Sequence, residues 1–282
     1  MSPPVVTLTI AGSDCCAGAG IQADLKTFSL LGLHGLTAIS SIVVQTPFKV
    51  HSSQEISPEI LTAQIQVLLE TYRIAAIKTG LLGSPSHISA VANALTGTDI
   101  PLVVDPVLSA SSGTEFASPE AVDAYMTELL PLALVTTPNL PEALRLLRQN
   151  HHLNSEGPCP TEITKELSNA LGISVLLTGG HSVTGGLLTD TLYSRGATHE
   201  FTHPWIDLPS SHGTGCTHSA AIAGLLGLGF ELEQAISMAQ ALMIHVLKTS
   251  YRWPLKEGPQ EIYALNQLPP KPANFFEGTE LE

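Results

Sequence analysis

The densest chemistry in the 282-residue chain lies in Ser211-His212-Gly213-Thr214-Gly215-Cys216-Thr217-His218-Ser219. An apolar run of small residues, Ala220 to Leu228, follows at once and reads as a buried helix. Glycine permits tight turning, so Gly213, Thr214, Gly215 and Cys216 are expected where a loop becomes a helix N-terminus. Backbone N–H groups there lack helical partners and carry partial positive charge, which suits a phosphate or oxyanion. Cys216 shares that positive end, which favours its thiolate; an ordinary thiol is only about 3% ionised at neutral pH. An anion cradle beside an activated thiol points to phosphoryl transfer. A glycine-rich cap over a small buried cysteine fits this stretch equally well, so the rest of the chain has to decide.

Other polar residues fall where ligands gather. Val5–Ala11 is a β-branched strand that ends in Gly12-Ser13-Asp14, and a glycine-rich loop leads into a helical pattern carrying Asp24. The dinucleotide fingerprint G-x-G-x-x-G is absent there. Leu36–Gln45 reads as a strand ending in Gln45, Ile74–Lys78 as one ending in Lys78-Thr79-Gly80, and Leu102–Val104 as one ending in Asp105-Pro106-Val107. Leu134–Thr136 leads to Asn139 and Glu142, and Val175–Thr178 to Gly179-Gly180-His181. Helices are expected over Pro58–Tyr72, Pro85–Leu95, Ser118–Leu130, Thr161–Leu171 and Leu232–Lys248, with Pro or Gly marking several ends. His151–Pro160 reads as a surface loop, and Asp190–Tyr193 with Thr198–Phe201 as short antiparallel strands.

Strands alternating with helices predict a doubly wound, mainly parallel α/β sheet, in which ligands sit at the carboxyl ends of strands. Gly12, Asp14, Gln45, Lys78, Asp105, Asn139, Glu142, Thr178 and Gly213 all fall at or just beyond such ends, which favours an enzyme. One domain over residues 1–282 is expected, with loose termini near 1–4 and 270–282.

A formal charge of −13 excludes a basic nucleic-acid footprint and makes any phosphate site local. No apolar run approaches the ~20 residues that span a bilayer. The start Met-Ser-Pro-Pro lacks the charged opening of a signal peptide. Four cysteines without a C-x-x-C pair argue for a reducing, cytoplasmic setting. His181 and His212 lack a metal-ligand spacing, and Cys15 and Cys16 read as loop-lining thiols.

Taken together, A-G-S-D-x-x-x-G-A-G-I-Q-A-D-L-K-T-F, V-x-D-P-V, T-P-N-L-P-E, G-G-H and H-G-T-G-C-T resemble the phosphomethylpyrimidine kinases of thiamine biosynthesis, within the ribokinase-like superfamily, from about Thr7 to Lys248. The resemblance implies a three-layer α/β/α domain, ATP and Mg2+, a small pyrimidine substrate and a homodimer. It implies that Gly213, Thr214, Gly215 and Cys216 form the anion hole with its catalytic cysteine, where many ribokinase-like enzymes carry aspartate. Gly12, Asp24, Gln45, Leu81 and Val107 match positions lining the pyrimidine pocket. Asp105 and Glu142 match acidic positions near metal and phosphates, and Thr178, Gly180 and Thr214 match the nucleotide side. The chain departs from the family at Asp14-Cys15-Cys16-Ala17-Gly18-Ala19-Gly20, usually D-P-S-G-G-A-G, and at Thr178, usually Lys. Thr-Gly-Gly also occurs in the pyridoxal-kinase branch. A pyridoxal kinase, or a retired domain that only binds pyrimidine, are the alternative functions.

Overall fold

The computed structural model describes residues 2–110, 113–148, 159–179, 185–208, 212–256 and 261–268. In chain order the elements are β1 (Val6–Asp14), α1 (Gly20–Leu30), β2 (His34–Thr46), β3 (Lys49–Glu55), α2 (Pro58–Thr71), β4 (Ile74–Thr79), α3 (Pro85–Leu95), β5 (Leu102–Val104), α4 (Pro119–Ala124), β6 (Val135–Thr136), α5 (Leu140–Leu146), α6 (Pro160–Leu171), β7 (Ser174–Leu177), β8 (Leu187–Ser194), β9 (Ala197–Pro204), α7 (Thr214–Gly227) and α8 (Leu232–Lys248). A small hairpin, β10 (Tyr251–Pro254) with β11 (Glu261–Ala264), closes the described part.

β1 to β9 form one sheet in the order β3-β2-β1-β4-β5-β6-β7-β8-β9. The strands from β2 across to β7 pair in parallel, while β3, β8 and β9 run antiparallel at the two edges. Successive side chains alternate between faces, and each face has its own apolar layer. Leu8, Ile10, Ile77, Val104 and Val175 pack with α2 to α6. Val103, Val135 and Leu176 pack with α1, α7 and α8. The result is the expected α/β/α sandwich. Among the described residues no helix is long and apolar enough to cross a membrane.

Strand order reverses between β1 and β4, since the chain leaves β1 toward β2 and β3 before it returns to β4 on the other side. A crevice opens outside the carboxyl ends at such a switch point. Asp14 ends β1, Thr79 ends β4, and Asp105 follows β5.

Two elements differ from the sequence expectation. The segment Lys49–Glu55 forms β3, a hairpin partner to the end of β2. The helix expected to Leu130 stops at Ala124; a wide π turn follows over Tyr125–Leu129 and a 3-10 turn over Leu130–Leu132. Pro131 supplies no N–H for an α-helical ladder there. The loop expected at His151–Pro160 lies mostly outside the described residues, except that Pro160 opens α6. The C-terminal tail lies outside them altogether.

Candidate active site

α7 begins where the sequence places it. Gly213 is its N-cap, at φ 80°. A Cβ there would meet the Gly18 carbonyl oxygen at 1.8 Å, so only glycine lets the loop before α7 lie against the β1–α1 loop. Thr214 and Cys216 are half-buried and Gly215 is exposed. No described side chain caps α7, and a helix start of this kind can face an anion.

Behind the cradle lies a buried charged cluster. Lys78, on β4, points to the face that α1 and α7 cover. Its Nζ donates to Asp24 of α1 at 2.9 and 3.1 Å, and both side chains are fully buried. Thr9 Oγ1 donates to the same carboxylate at 2.5 Å. Burial pushes the Asp24 carboxyl up and alone would push Lys78 down, but the acidic groups around it, Asp24 foremost, hold Lys78 above its ordinary value. With its nitrogen on two carboxylate oxygens, Lys78 is the cation of this site.

Asp105 accepts from Ser219 Oγ of α7 at 3.0 Å. Its carboxyl is raised by burial despite Lys78 and Ser219. Glu142, at the next strand end, closes a capping box on α5: Glu142 N–H donates to Asn139 Oδ1 at 3.0 Å, and Asn139 N–H to Glu142 Oε2 at 2.9 Å. The N-x-x-E spacing, read from sequence as a metal-side acid, is thus also a helix start signal. Burial and the Asp105 charge push Glu142 up to about 8. Two buried carboxylates with hard oxygen donors, one raising the other, suit Mg2+.

The raised pKa of Glu142 gives a test. The folded state holds the Glu142 proton more tightly than the unfolded one, so the contribution of Glu142 to stability is greatest at low pH and declines as pH rises from 4.5 to about 8. Glu142→Gln keeps a side-chain acceptor for the capping box and carries no charge. Its melting temperature should therefore decline less than that of the wild-type chain across this window when both are measured without metal.

Cys216 corrects an expectation. The Gly20 amide at the start of α1 and Lys78 favour its ionised form, but burial together with Asp105 and Asp24 pushes it up to about 12. Two helix N-termini and a lysine do not offset burial in this state, so at neutral pH the group is a thiol rather than the thiolate expected from the helix end alone.

The pyrimidine-side positions divide. Gly12 packs against Leu81, and a Cβ at Gly12 would stand 3.2 Å from the Leu81 side chain. Val107 follows Asp105, donating its N–H to the Asp105 carbonyl at 2.9 Å. Asp24 has no exposed surface; it is neither a solvated acid nor a pocket wall but the partner of Lys78. Gln45 is half-buried near the end of β2, and its backbone carbonyl and N–H meet the Cys15 thiol at 3.3 and 3.4 Å. Thr178 donates its N–H to Pro138 at 3.0 Å. Gly180 and His181 lie outside the described residues.

Sequence reasoning named Lys78 as a strand end and as a stand-in cation for the family's lysine at Thr178, without its partner, and gave Ser219 no role. The signal for Lys78 is Asp24 itself, which shares the inward stripe of α1 with Ile21 and Phe28 and therefore needs a buried cation. Nothing local marks Ser219.

A sequence profile of the phosphomethylpyrimidine kinase family matches residues 14–261. The hydroxymethylpyrimidine/phosphomethylpyrimidine kinase of Rhizobium meliloti is 37% identical over 253 residues, covering 90% of this chain and 94% of that protein. An ADP complex of Bacillus subtilis pyridoxal kinase superposes with a TM-score of 0.82 at 33% identity, over 93% of this chain and 97% of that one. Phosphomethylpyrimidine kinase from Clostridium difficile 630 superposes with a TM-score of 0.73 at 32% identity, over 86% of this chain and 98% of the other. These likenesses span the sheet, the cradle and both acidic strand ends, and on that basis the chain belongs to the phosphomethylpyrimidine kinase family.

Proposed function

We propose that this chain, acting as one catalytic domain, phosphorylates 4-amino-5-hydroxymethyl-2-methylpyrimidine and then its monophosphate with ATP, in thiamine biosynthesis. The observation that carries this reading is the convergence of the α7 cradle, Cys216, Lys78 and the Asp105 and Glu142 carboxylates at one end of the sheet. In the first step the hydroxymethyl oxygen bonds to the γ-phosphorus, the bond to the β,γ-bridging oxygen breaks, and ADP leaves. The hydroxyl proton passes to Cys216 in its thiolate form, which has first released its own proton to solvent and which Lys78 favours. In the second step an ionised phosphate oxygen attacks, and no proton has to be removed. Backbone N–H groups of Gly213 to Cys216 stabilise the moving phosphoryl group, with Thr214 and the Thr178–Gly180 segment on the nucleotide side. Asp105 and Glu142 would hold Mg2+, which neutralises phosphate charge.

Pyridoxal is the rival acceptor, favoured by Thr178 and by the pyridoxal kinase likeness. Gln45 favours the pyrimidine. A carboxamide both accepts and donates. The amide can then meet an exocyclic amine beside a ring nitrogen, a pair that pyridoxal lacks. Wild type should show the higher kcat/KM on the pyrimidine. Gln45→Leu should cut that efficiency about tenfold to a hundredfold and narrow the margin over pyridoxal. A wild-type preference for pyridoxal moves the chain to the vitamin B6 branch; no turnover of either leaves a binding module.

We also propose a homodimer through the β2–β3 ribbon. Ile42 and Val44 share one face of β2 and are 48% and 49% exposed, with Phe48 at the turn 45% exposed. Exposed apolar side chains clustered on a sheet edge fit a second copy. Ile42→Lys with Val44→Glu should shift the sedimentation coefficient from dimer to monomer; a wild-type chain that sediments as a monomer removes the interface. Four free thiols and use of ATP support the cytoplasm.

A further inference from the structure

Outside the kinase chemistry, three side chains from two loops converge on one point. Asp14 ends β1, Cys16 follows it in the glycine-rich loop, and His212 precedes the N-cap of α7. His212 Nε2 lies 3.0 Å from Asp14 Oδ2 and 3.8 Å from Cys16 Sγ. Cys16 Sγ lies 3.0 and 3.4 Å from the two Asp14 oxygens. One ring nitrogen, Nε2, faces both neighbours at once, as a shared central ion requires. With bonds of ~2.3 Å to sulfur and ~2.1 Å to nitrogen and oxygen, tetrahedral ligands stand roughly 3.4–3.6 Å apart. The observed separations lie close to those edges before any ion is bound.

We propose that Asp14, Cys16 and His212 bind one thiophilic divalent cation of the zinc class, bridging the β1–α1 loop to the loop that leads into α7.

The surroundings are built for these three groups to stay together. The Asp14 carboxylate accepts N–H bonds from Cys16 at 2.9 Å, Gly18 at 3.0 Å and Ala19 at 2.8 Å, which fix its orientation. Residue 18 is glycine, and a Cβ there would stand 2.4 Å from the His212 ring; the missing side chain makes room for the imidazole. Asp14 is buried, His212 half-buried and Cys16 exposed, so the cluster is anchored from within and reached from solvent on the sulfur side.

Donor chemistry selects the ion. Thiolate, imidazole and carboxylate together favour Zn2+, Co2+ or Cd2+ over Mg2+, whereas the all-oxygen pair Asp105 and Glu142 favours Mg2+. The chain therefore holds two cation sites that do not compete. Three protein ligands leave a fourth position open. Binding exchanges the thiol proton for the cation and uses the lone pair of His212 Nε2. It also pins the two loops on either side of Gly213, and so slows any motion of the cradle.

The test is Co2+ titration of the metal-free, fully reduced chain in excess Mg2+. Wild type should take one Co2+ with thiolate-to-cobalt charge-transfer absorption, and Zn2+ should displace it. Cys16→Ser should lose the band, while Cys15→Ser and Cys216→Ser keep it. His212→Ala should weaken binding by more than the ~10–100-fold that outer-shell changes produce. A second measurement needs no variant: Zn2+, but not Mg2+, should protect Cys16 from iodoacetamide in the wild-type chain, located by mass spectrometry. No charge-transfer band, a band that survives Cys16→Ser, or Cys16 labelled equally with and without Zn2+ would each overturn the site.

Discussion

Replacing Asp24 with alanine should destabilise the chain by about 3–5 kcal/mol, the usual effect of removing one partner of a buried ion pair. Lys78 has no exposed surface, and its nitrogen rests on both Asp24 oxygens. Without Asp24 the ammonium either stays buried without that partner or gives up its proton, and both are unfavourable. Thr9 also loses its acceptor. The loss should be read as a shift of the urea midpoint at unchanged slope. The double variant Asp24→Leu with Lys78→Met separates structure from function. It replaces both charges with apolar groups of similar size, a change often neutral for stability, so the midpoint should return toward wild type. Turnover should not return, because the cation that faces Cys216 and Asp105 is gone. Full activity in a stable double variant would make the pair purely structural.

The same residues show what the sequence could carry. The parallel sheet, the α7 start and the row of polar strand ends all follow from local patterns: β-branched runs, proline at helix starts and glycine at the cradle. Each is set within a few residues, so each could be read. Lys78 with Asp24 could not be read as a pair, since residues 54 apart in sequence meet only when α1 folds back over β1 and β4. Cys216 was misjudged for a related reason. The positive helix end is local and visible, but the burial that opposes it comes from α1, β4 and β5 closing around the thiol. His212 lies 198 positions from Asp14, so ligand-spacing rules had nothing to detect. β3 was missed because its exposed, polar Lys49–Glu55 has no apolar alternation; only pairing with β2 makes it a strand.

Cys216→Ala should lower the first phosphorylation by on the order of 10²–10⁴ in kcat, the usual range for removing a proton acceptor, with little change in substrate affinity. The second phosphorylation should be much less affected, because its attacking phosphate oxygen is already ionised and needs only the cradle and the charged cluster. That asymmetry distinguishes proton acceptance from a packing role, which would slow both steps alike. The thiol enters the reaction from an unfavourable state: in the ligand-free chain it is pushed up to about 12, with Asp105 and Asp24 opposing Lys78. Neutralising Asp105 removes one of the two opposing charges and leaves Lys78 in place. The pH at which the first step reaches half its plateau should therefore lie below 12 when Mg2+ and ATP are saturating. Alkylation reports the starting state directly. In the ligand-free chain at neutral pH, the exposed Cys159 should label before Cys216, the reverse of the order that the helix end alone suggests. Cys216→Asp supplies a carboxylate at the same place and should restore part of the first step, since the acceptor needs only to be near Lys78 and the cradle. Equal slowing of both phosphorylations in Cys216→Ala, with no recovery in Cys216→Asp, would leave the α7 backbone and Lys78 as the catalytic elements and remove the thiol from proton transfer.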